Sequence, residues 1–283
     1  MTKITEFKHS QFIRVRNELY DLNEPRIMGI INLTPDSFWE GSRVREEKFL
    51  LEKVEKMVEE GADMIDLGAV STRPGATILS SKEERERLGV SIQLIRKEIP
   101  SVIVSVDTFH AETASWAIND GADLINDVSG GQYDEQMFDV IAQNKTPYIL
   151  MHSDGQGATQ LKTSNRENLI NEVIRYFAQK IELLNQKGVS DIIIDPGFGF
   201  DKTIEENFLL AKQLELLHIL NRPLLVGVSR KSMIYKTLQL DAESSLNGTT
   251  AMHSALFQKK CNVFRVHDVK EMAQVKELLV GLS

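Results

Sequence analysis

Apolar residues gather in short runs that recur along the chain, with longer amphipathic stretches between them. The runs are Ile27–Ile31, Met64–Leu67, Ile103–Val106, Leu124–Ile125, Tyr148–Met151, Ile192–Ile194, Leu224–Val226 and Val263–Val266. Near-continuous apolar runs of this length predict parallel strands buried on both faces. Between them, Glu46–Glu60 places Phe49, Leu50, Val54, Met57 and Val58 on one helical face. Ser81-Lys82-Glu83-Glu84 reads as a capping box opening a helix that runs towards Ile99. Ala111–Asp120 and Arg166–Lys187 follow as helices. A weak internal repeat accompanies the alternation. Gly61-Ala62-Asp63-Met64-Ile65-Asp66 returns as Gly121-Ala122-Asp123-Leu124-Ile125-Asn126, and more loosely from Gly188 to Asp195. Its glycine suits the position just past a helix, where a positive φ is needed. Strands alternating with helices predict a parallel sheet. Eight such units in 283 residues predict a closed α/β architecture, a single (β/α)₈ TIM barrel over residues 25–283. Residues 1–24 fall outside the repeat and are expected to form a short N-terminal extension over the barrel's N-terminal end.

Composition narrows the function classes. Hydrophobic residues make up 42% and charged residues 26%, as in soluble globular proteins. A net charge of −8 argues against a nucleic-acid partner, which needs a basic face. No apolar run approaches the roughly 20 residues of a membrane span, and Met1–Asp21 lacks the apolar core of a signal peptide. The single cysteine, Cys261, excludes an intramolecular disulfide framework and fits a reducing compartment. A cytoplasmic protein without membrane partners is expected.

In a (β/α)₈ barrel the active site forms where the strands end. The eight runs lead in turn to Asn32-Leu33-Thr34-Pro35-Asp36-Ser37, Ser71-Thr72-Arg73-Pro74-Gly75, Asp107, Asn126-Asp127, His152, Asp195-Pro196-Gly197, Ser229-Arg230-Lys231-Ser232 and His267-Asp268. Such residues often serve only as caps and turn formers, and Asp127 and Asp268 are open to that reading. Convergence of polar groups at every strand end points instead to one cavity. The cations Arg73, Lys231, Arg265 and His267 suit a phosphate-bearing substrate. Arg265 is the most telling, because a strand interior rarely holds an unpaired guanidinium. Asp107 and Asp195 could bind a metal, act as acid–base groups, or accept hydrogen bonds from a heterocycle. There is no His-x-His or His-Glu-x-x-His pattern for zinc. Mg²⁺ needs only one or two protein oxygens beside phosphates and water. No Gly-x-Ser-x-Gly elbow supplies a serine nucleophile. Cys261 precedes the last strand and reads as a packed thiol, and Gly197-Phe198-Gly199 is only a fragment of a phosphate loop.

Taken in order, these motifs resemble the dihydropteroate synthases. Met28-Gly29-Ile30-Ile31-Asn32-Leu33-Thr34-Pro35-Asp36-Ser37-Phe38 is similar to their first signature, and Ser71-Thr72-Arg73-Pro74-Gly75-Ala76 to their second loop. Ser105-Val106-Asp107-Thr108, Ile125-Asn126-Asp127 and Leu150-Met151-His152 match the middle strands. Asp195-Pro196-Gly197-Phe198-Gly199-Phe200, Gly227-Val228-Ser229-Arg230-Lys231-Ser232 and Arg265-Val266-His267-Asp268 complete the set. The resemblance implies a transferase of folate biosynthesis, in which the amine of 4-aminobenzoate displaces pyrophosphate from 6-hydroxymethyl-7,8-dihydropterin pyrophosphate. By position, Asp107, Asn126, Asp195 and Lys231 would hydrogen-bond the pterin and Arg265 would stack on it. Met151, Phe200 and Gly227 would line the pocket, or simply pack. Asn32, Thr72, Arg73 and His267 would hold pyrophosphate, with Asn32 also touching Mg²⁺. Loops carrying Pro35, Asp36, Phe38 and Thr72–Pro74 would close on the arylamine above Lys231 and Ser232. Lys231, Arg265 and Asp107 are the expected catalytic groups. The family further implies sulfonamides as inhibitors and a homodimer.

Two stretches depart from the family pattern. Gly68-Ala69-Val70 stands where Gly-Gly-Glu is usual, so Val70 removes a carboxylate near the second loop, and Trp39-Glu40-Gly41-Ser42 replaces Ser-Asp-Gly-Gly. A pterin-binding methyltransferase domain would share the barrel and the pterin carboxylates, but would have no need of Thr72-Arg73-Pro74-Gly75, Ser229–Ser232 or Arg265–Asp268. A non-catalytic pterin-binding paralogue is separated from an enzyme by turnover.

Overall fold

The computed structural model describes residues 11–33, 43–69, 78–153 and 168–282. Eight parallel strands form one sheet: β3 (Arg26–Asn32), β4 (Met64–Gly68), β5 (Ile103–Asp107), β6 (Leu124–Asp127), β7 (Tyr148–Met151), β8 (Ile192–Asp195), β9 (Leu225–Val226) and β10 (Val263–Val266). Consecutive strands pair from β3 to β8 and from β9 to β10, and β10 pairs with β3. The circuit is completed by a single parallel bridge, Ile194 to Leu224, between β8 and β9. This is the (β/α)₈ barrel that the alternation predicts.

Helices cover the outside: α1 (Arg43–Glu59), α2 (Ser81–Leu88), α3 (Ser91–Glu98), α4 (Ala111–Asn119), α5 (Met137–Asn144), α6 (Leu169–Gln186), α7 (Ile204–Gln213), α8 (Ser232–Tyr235), α9 (Leu246–Phe257) and α10 (Val269–Val280). Outward strand residues such as Ile65, Val104, Ile125 and Ile194 pack against helical Leu50, Ile92, Val173 and Phe177 in the main core. The repeat glycines Gly61, Gly121 and Gly188 have φ of 106°, 103° and 83°, the conformation a helix exit demands and side chains resist.

Two local expectations are corrected. The capping box lies one residue earlier, with Ser80 as the cap: its hydroxyl accepts from Glu83 N–H while the Glu83 carboxylate accepts from Ser80 N–H. Ser80 and Ser81 are chemically equivalent candidates, and only backbone geometry chooses between them. The expected single helix to Ile99 is two, broken at Gly89, whose φ of 50° ends α2.

Before the barrel, β1 (Phe12–Val15) and β2 (Glu18–Asp21) form an antiparallel hairpin. Arg16 and Asn17 at its tip both have positive φ, 52° and 66°, as a tight two-residue turn requires. Ile13, Val15 and Leu22 pack beneath a ring of inward residues, one from each barrel strand: Met28, Met64, Ile103, Leu124, Ile149, Ile193, Leu225 and Val263. Arg16 clamps the hairpin to the barrel, donating to both Asp123 carboxylate oxygens at 2.8 and 3.0 Å and to the carbonyls of Pro100 and Val102.

Candidate active site

Strand side chains alternate in direction, so the inward residues two positions above the apolar ring form the next layer. That layer contains Asp66, Ser105, Asn126, Asp195 and Arg265. Charge inside a barrel is stable only when paired. The Arg265 guanidinium pairs twice: Nε donates to Asp66 Oδ2 at 2.6 Å and Nη2 to Asp107 Oδ2 at 2.8 Å. Asn126 Nδ2 donates to the same Asp66 oxygen at 2.9 Å. One planar cation thus ties β10 to β4 and β5, and Asn126 extends the network to β6. Asp66 Oδ1 and Ser105 Oγ are buried without a hydrogen-bond partner.

The opposite wall is built by the segment after β8. Asp195 Oδ1 accepts from Gly197 N–H at 2.8 Å. Lys231, capping α8, donates to the Phe198 carbonyl and lies 4.6 Å from the centre of the Phe200 ring. Burial of its ammonium lowers the Lys231 pKa to about 8, against the pull of Asp195. Burial pushes Asp107 up to about 7, opposed by Arg265 and reinforced by the carboxylates of Asp66, Glu84 and Asp127. Burial also raises Asp195, while Lys231, Arg265 and Lys202 draw it back. Asp107 and Lys231 are thereby brought near neutrality, and such displaced groups are concentrated at functional sites.

The remaining expected residues fall around this network. Met151 is buried in register with Asp195. A Cβ on Gly227 would lie 3.8 Å from Arg265 Cβ, so Gly227 flanks that side chain. Ser232 opens α8. His267 N–H donates to Ser229 Oγ at 3.2 Å, tying the ends of β9 and β10 together. Asn32 ends β3 in register with Gly68. Thr72 and Arg73, like Pro35, Asp36, Phe38 and Val70, lie outside the described residues.

Asp127 and Asp268 are structural. Asp127 accepts from Ser129 N–H, Gly131 N–H and the Tyr148 hydroxyl. Asp268 accepts a bidentate pair from Arg230 at 2.7 and 2.9 Å. Asp66 is the central residue that strand-end reasoning missed, because it sits inside the apolar run Met64–Leu67. Its signal was available: a carboxylate in a buried strand needs a cation, as Arg265 needs an anion.

No group of three or more His, Cys, Asp or Glu side chains among the described residues could hold a metal ion. No helix among them is long and apolar enough to cross a membrane. The profile described as "Pterin binding enzyme" matches residues 28–267. The chain belongs to the pterin-binding enzyme family. Within that family it is 42% identical to the dihydropteroate synthase of Synechocystis over 252 residues, covering 88% of this chain and 87% of that one. Among solved structures, a Clostridium difficile dihydropteroate synthase crystallised with pteroic acid superposes with a TM-score of 0.85 at 33% identity, covering 92% of this chain and 97% of that one. The Xanthomonas albilineans enzyme with 4-aminobenzoic acid gives 0.87 at 32%, covering 96% and 98%.

Proposed function

We propose that this chain condenses 6-hydroxymethyl-7,8-dihydropterin pyrophosphate with 4-aminobenzoate, giving 7,8-dihydropteroate and pyrophosphate. It is a transferase of folate biosynthesis. The observation that carries the substrate assignment is the arrangement of Asp66, Asp107 and Asn126 around Arg265, with Asp195 and Lys231 on the facing wall. The amino-pyrimidine edge of a pterin is a row of N–H donors and ring acceptors. Buried carboxylates, an amide and an ammonium complement such an edge where water is excluded. Arg265, held flat by its two carboxylates, offers the heterocycle a planar face that lysine would not.

Asn32 and His267 stand at the ends of β3 and β10 and would receive the pyrophosphate, joined by Thr72 and Arg73. Asn32 would offer Mg²⁺ one oxygen, and the phosphates and water the rest, the donor set that ion prefers. When bound, the ion would stabilise charge on the departing pyrophosphate. The electron-rich dihydropterin can support a methylene cation, so departure can precede attack and no protein nucleophile is required. Lys231 and Ser232 form the floor on which the arylamine approaches. Sulfonamides, as arylamine mimics, would compete there. We place the enzyme in the cytoplasm as a homodimer.

Purified protein supplied with the pterin pyrophosphate, 4-aminobenzoate and Mg²⁺ should release pyrophosphate and form dihydropteroate in equal amounts. Pterin binding without either product would leave only a non-catalytic binding role.

A further inference from the structure

Lys202 carries a charge in a place that needs an explanation. It is among the largest fully buried side chains, at 1% exposure. Its ammonium donates to the carbonyls of Gly197 and Phe200 at 2.9 and 3.1 Å and lies 3.1 Å from His152 Nδ1. Burying an ammonium is costly unless acceptors surround it. The acceptors here come from the residue after β7 and from both ends of a turn after β8.

That turn is Gly197 to Phe200, closed by Phe200 N–H donating to the Gly197 carbonyl at 3.2 Å. Between the two carbonyls that Lys202 holds, that of Phe198 accepts from Lys231, and the Phe200 ring lies against the Lys231 ammonium. A Cβ on Gly199 would come within 2.8 Å of Lys231 Cδ, so the turn touches the lysine along its stem as well. Gly199 N–H donates to Asn207 Oδ1 at 2.7 Å, and the Asn207 amide in turn donates to the Lys202 carbonyl at 3.3 Å. The start of the turn is equally constrained. His152 N–H donates to the Asp195 carbonyl at 2.8 Å, and a side chain on Gly197 would collide with the His152 carbonyl.

We infer that Lys202 is a positioning residue for the pterin site: it pins the Gly197–Phe200 turn so that this turn presents Asp195 on one side and cradles Lys231 on the other. Its charge adds a second effect, because Asp195 is also drawn towards its ionised form by Lys202. The inference rests on the pterin site proposed above, and deepens it.

Lys202→Met keeps the apolar stem and removes the ammonium. Binding of 6-hydroxymethylpterin, followed by calorimetry across pH, should weaken by about 10- to 100-fold, as loss of an outer partner of a binding group typically does. Asp195 would keep Lys231 and Arg265 as facing cations, with His152 beside it and Asp66 and Asp107 across the barrel. Having lost one of its three cations, it would protonate at higher pH, so the acid limb of binding should move upward. Wild-type affinity in the variant would overturn the inference. Weaker binding with the acid limb unmoved would overturn it too, since that is what general loosening would produce. If Lys202→Met does not fold, His152→Phe removes one acceptor and leaves the charge. It should weaken pterin binding a few-fold with the acid limb in place, and unchanged affinity there would overturn the inference. A wild-type chain that binds no pterin would sink the functional reading itself.

Discussion

The two ends of the barrel are made by the same strands and do opposite things. At the N-terminal end Met64, Ile103, Leu124, Ile193 and Val263 close over the hairpin residues Ile13, Val15 and Leu22. Two residues further along those strands stand Asp66, Ser105, Asn126, Asp195 and Arg265. The lower layer is dry and apolar, and its contribution is burial at roughly 25 cal/mol per Å². The upper layer is ionic, and its pairs hold geometry more than they add stability, because desolvation offsets most of their attraction. The period of a strand is therefore enough to separate stability from chemistry within one closed sheet.

That separation can be broken from either side. The largest effect is expected for Lys231→Ala, which removes a cation from the upper layer and empties the Phe198–Phe200 cradle. Turnover should fall by about 100-fold or more, measured as dihydropteroate formation, with the melting temperature little changed. Near-normal turnover would refute the assignment. At the lower end, Ile13→Ala opens a cavity in the fully buried plug and should cost about 3 kcal/mol of unfolding free energy with kcat intact. A variant that lost activity without losing stability would blur the distinction.

Asp107→Asn should weaken pterin binding by about tenfold, the order expected for a hydrogen bond to a charged group, and unchanged affinity by calorimetry would count against the pocket. The sign of the pH dependence follows from the two shifted groups. Below about 7 Asp107 carries a proton and accepts poorly, and above about 8 Lys231 loses its charge. Binding should peak between those values, and Asp107→Asn should remove only its own share of the acid side, leaving that of Asp195, which burial also raises, and the alkaline side in place. The smallest effect is expected for Arg16→Ala. This part-exposed clamp on Asp123 should contribute about 1 kcal/mol or less, seen as a slightly lower melting temperature with activity unaltered.

The barrel was legible because its strands are unbroken apolar runs and its helices follow a repeat with a glycine exit. The site was legible where a polar residue interrupts the end of a run, as at Asp107, Asn126, Asp195 and Arg265. Asp66 was hidden because its neighbours Ile65 and Leu67 face the helices while it faces inward, and a run counted as apolar masks the alternation. Lys202 was hidden for the opposite reason. In the polar stretch Asp201-Lys202-Thr203 it reads as a surface charge, and only the folded turn shows that its ammonium is enclosed. The N-terminal hairpin was not foreseen as such, since Arg16-Asn17 is not among the usual turn pairs, although Asn tolerates a left-handed backbone well.

One seam of the barrel differs from the rest. Where other neighbouring strands share a ladder, β8 and β9 meet through the Ile194–Leu224 bridge, with Ile194 N–H donating to the Pro223 carbonyl, and β9 is only two residues long. Native structures open first where backbone bonds are fewest. Breathing of this molecule should begin at that stave, and amide exchange near Leu225 should outpace that of β4 and β5. Asp195 and Gly227 lie just beyond the seam, so the same stave that loosens first in the frame also carries two of the residues expected around the pterin.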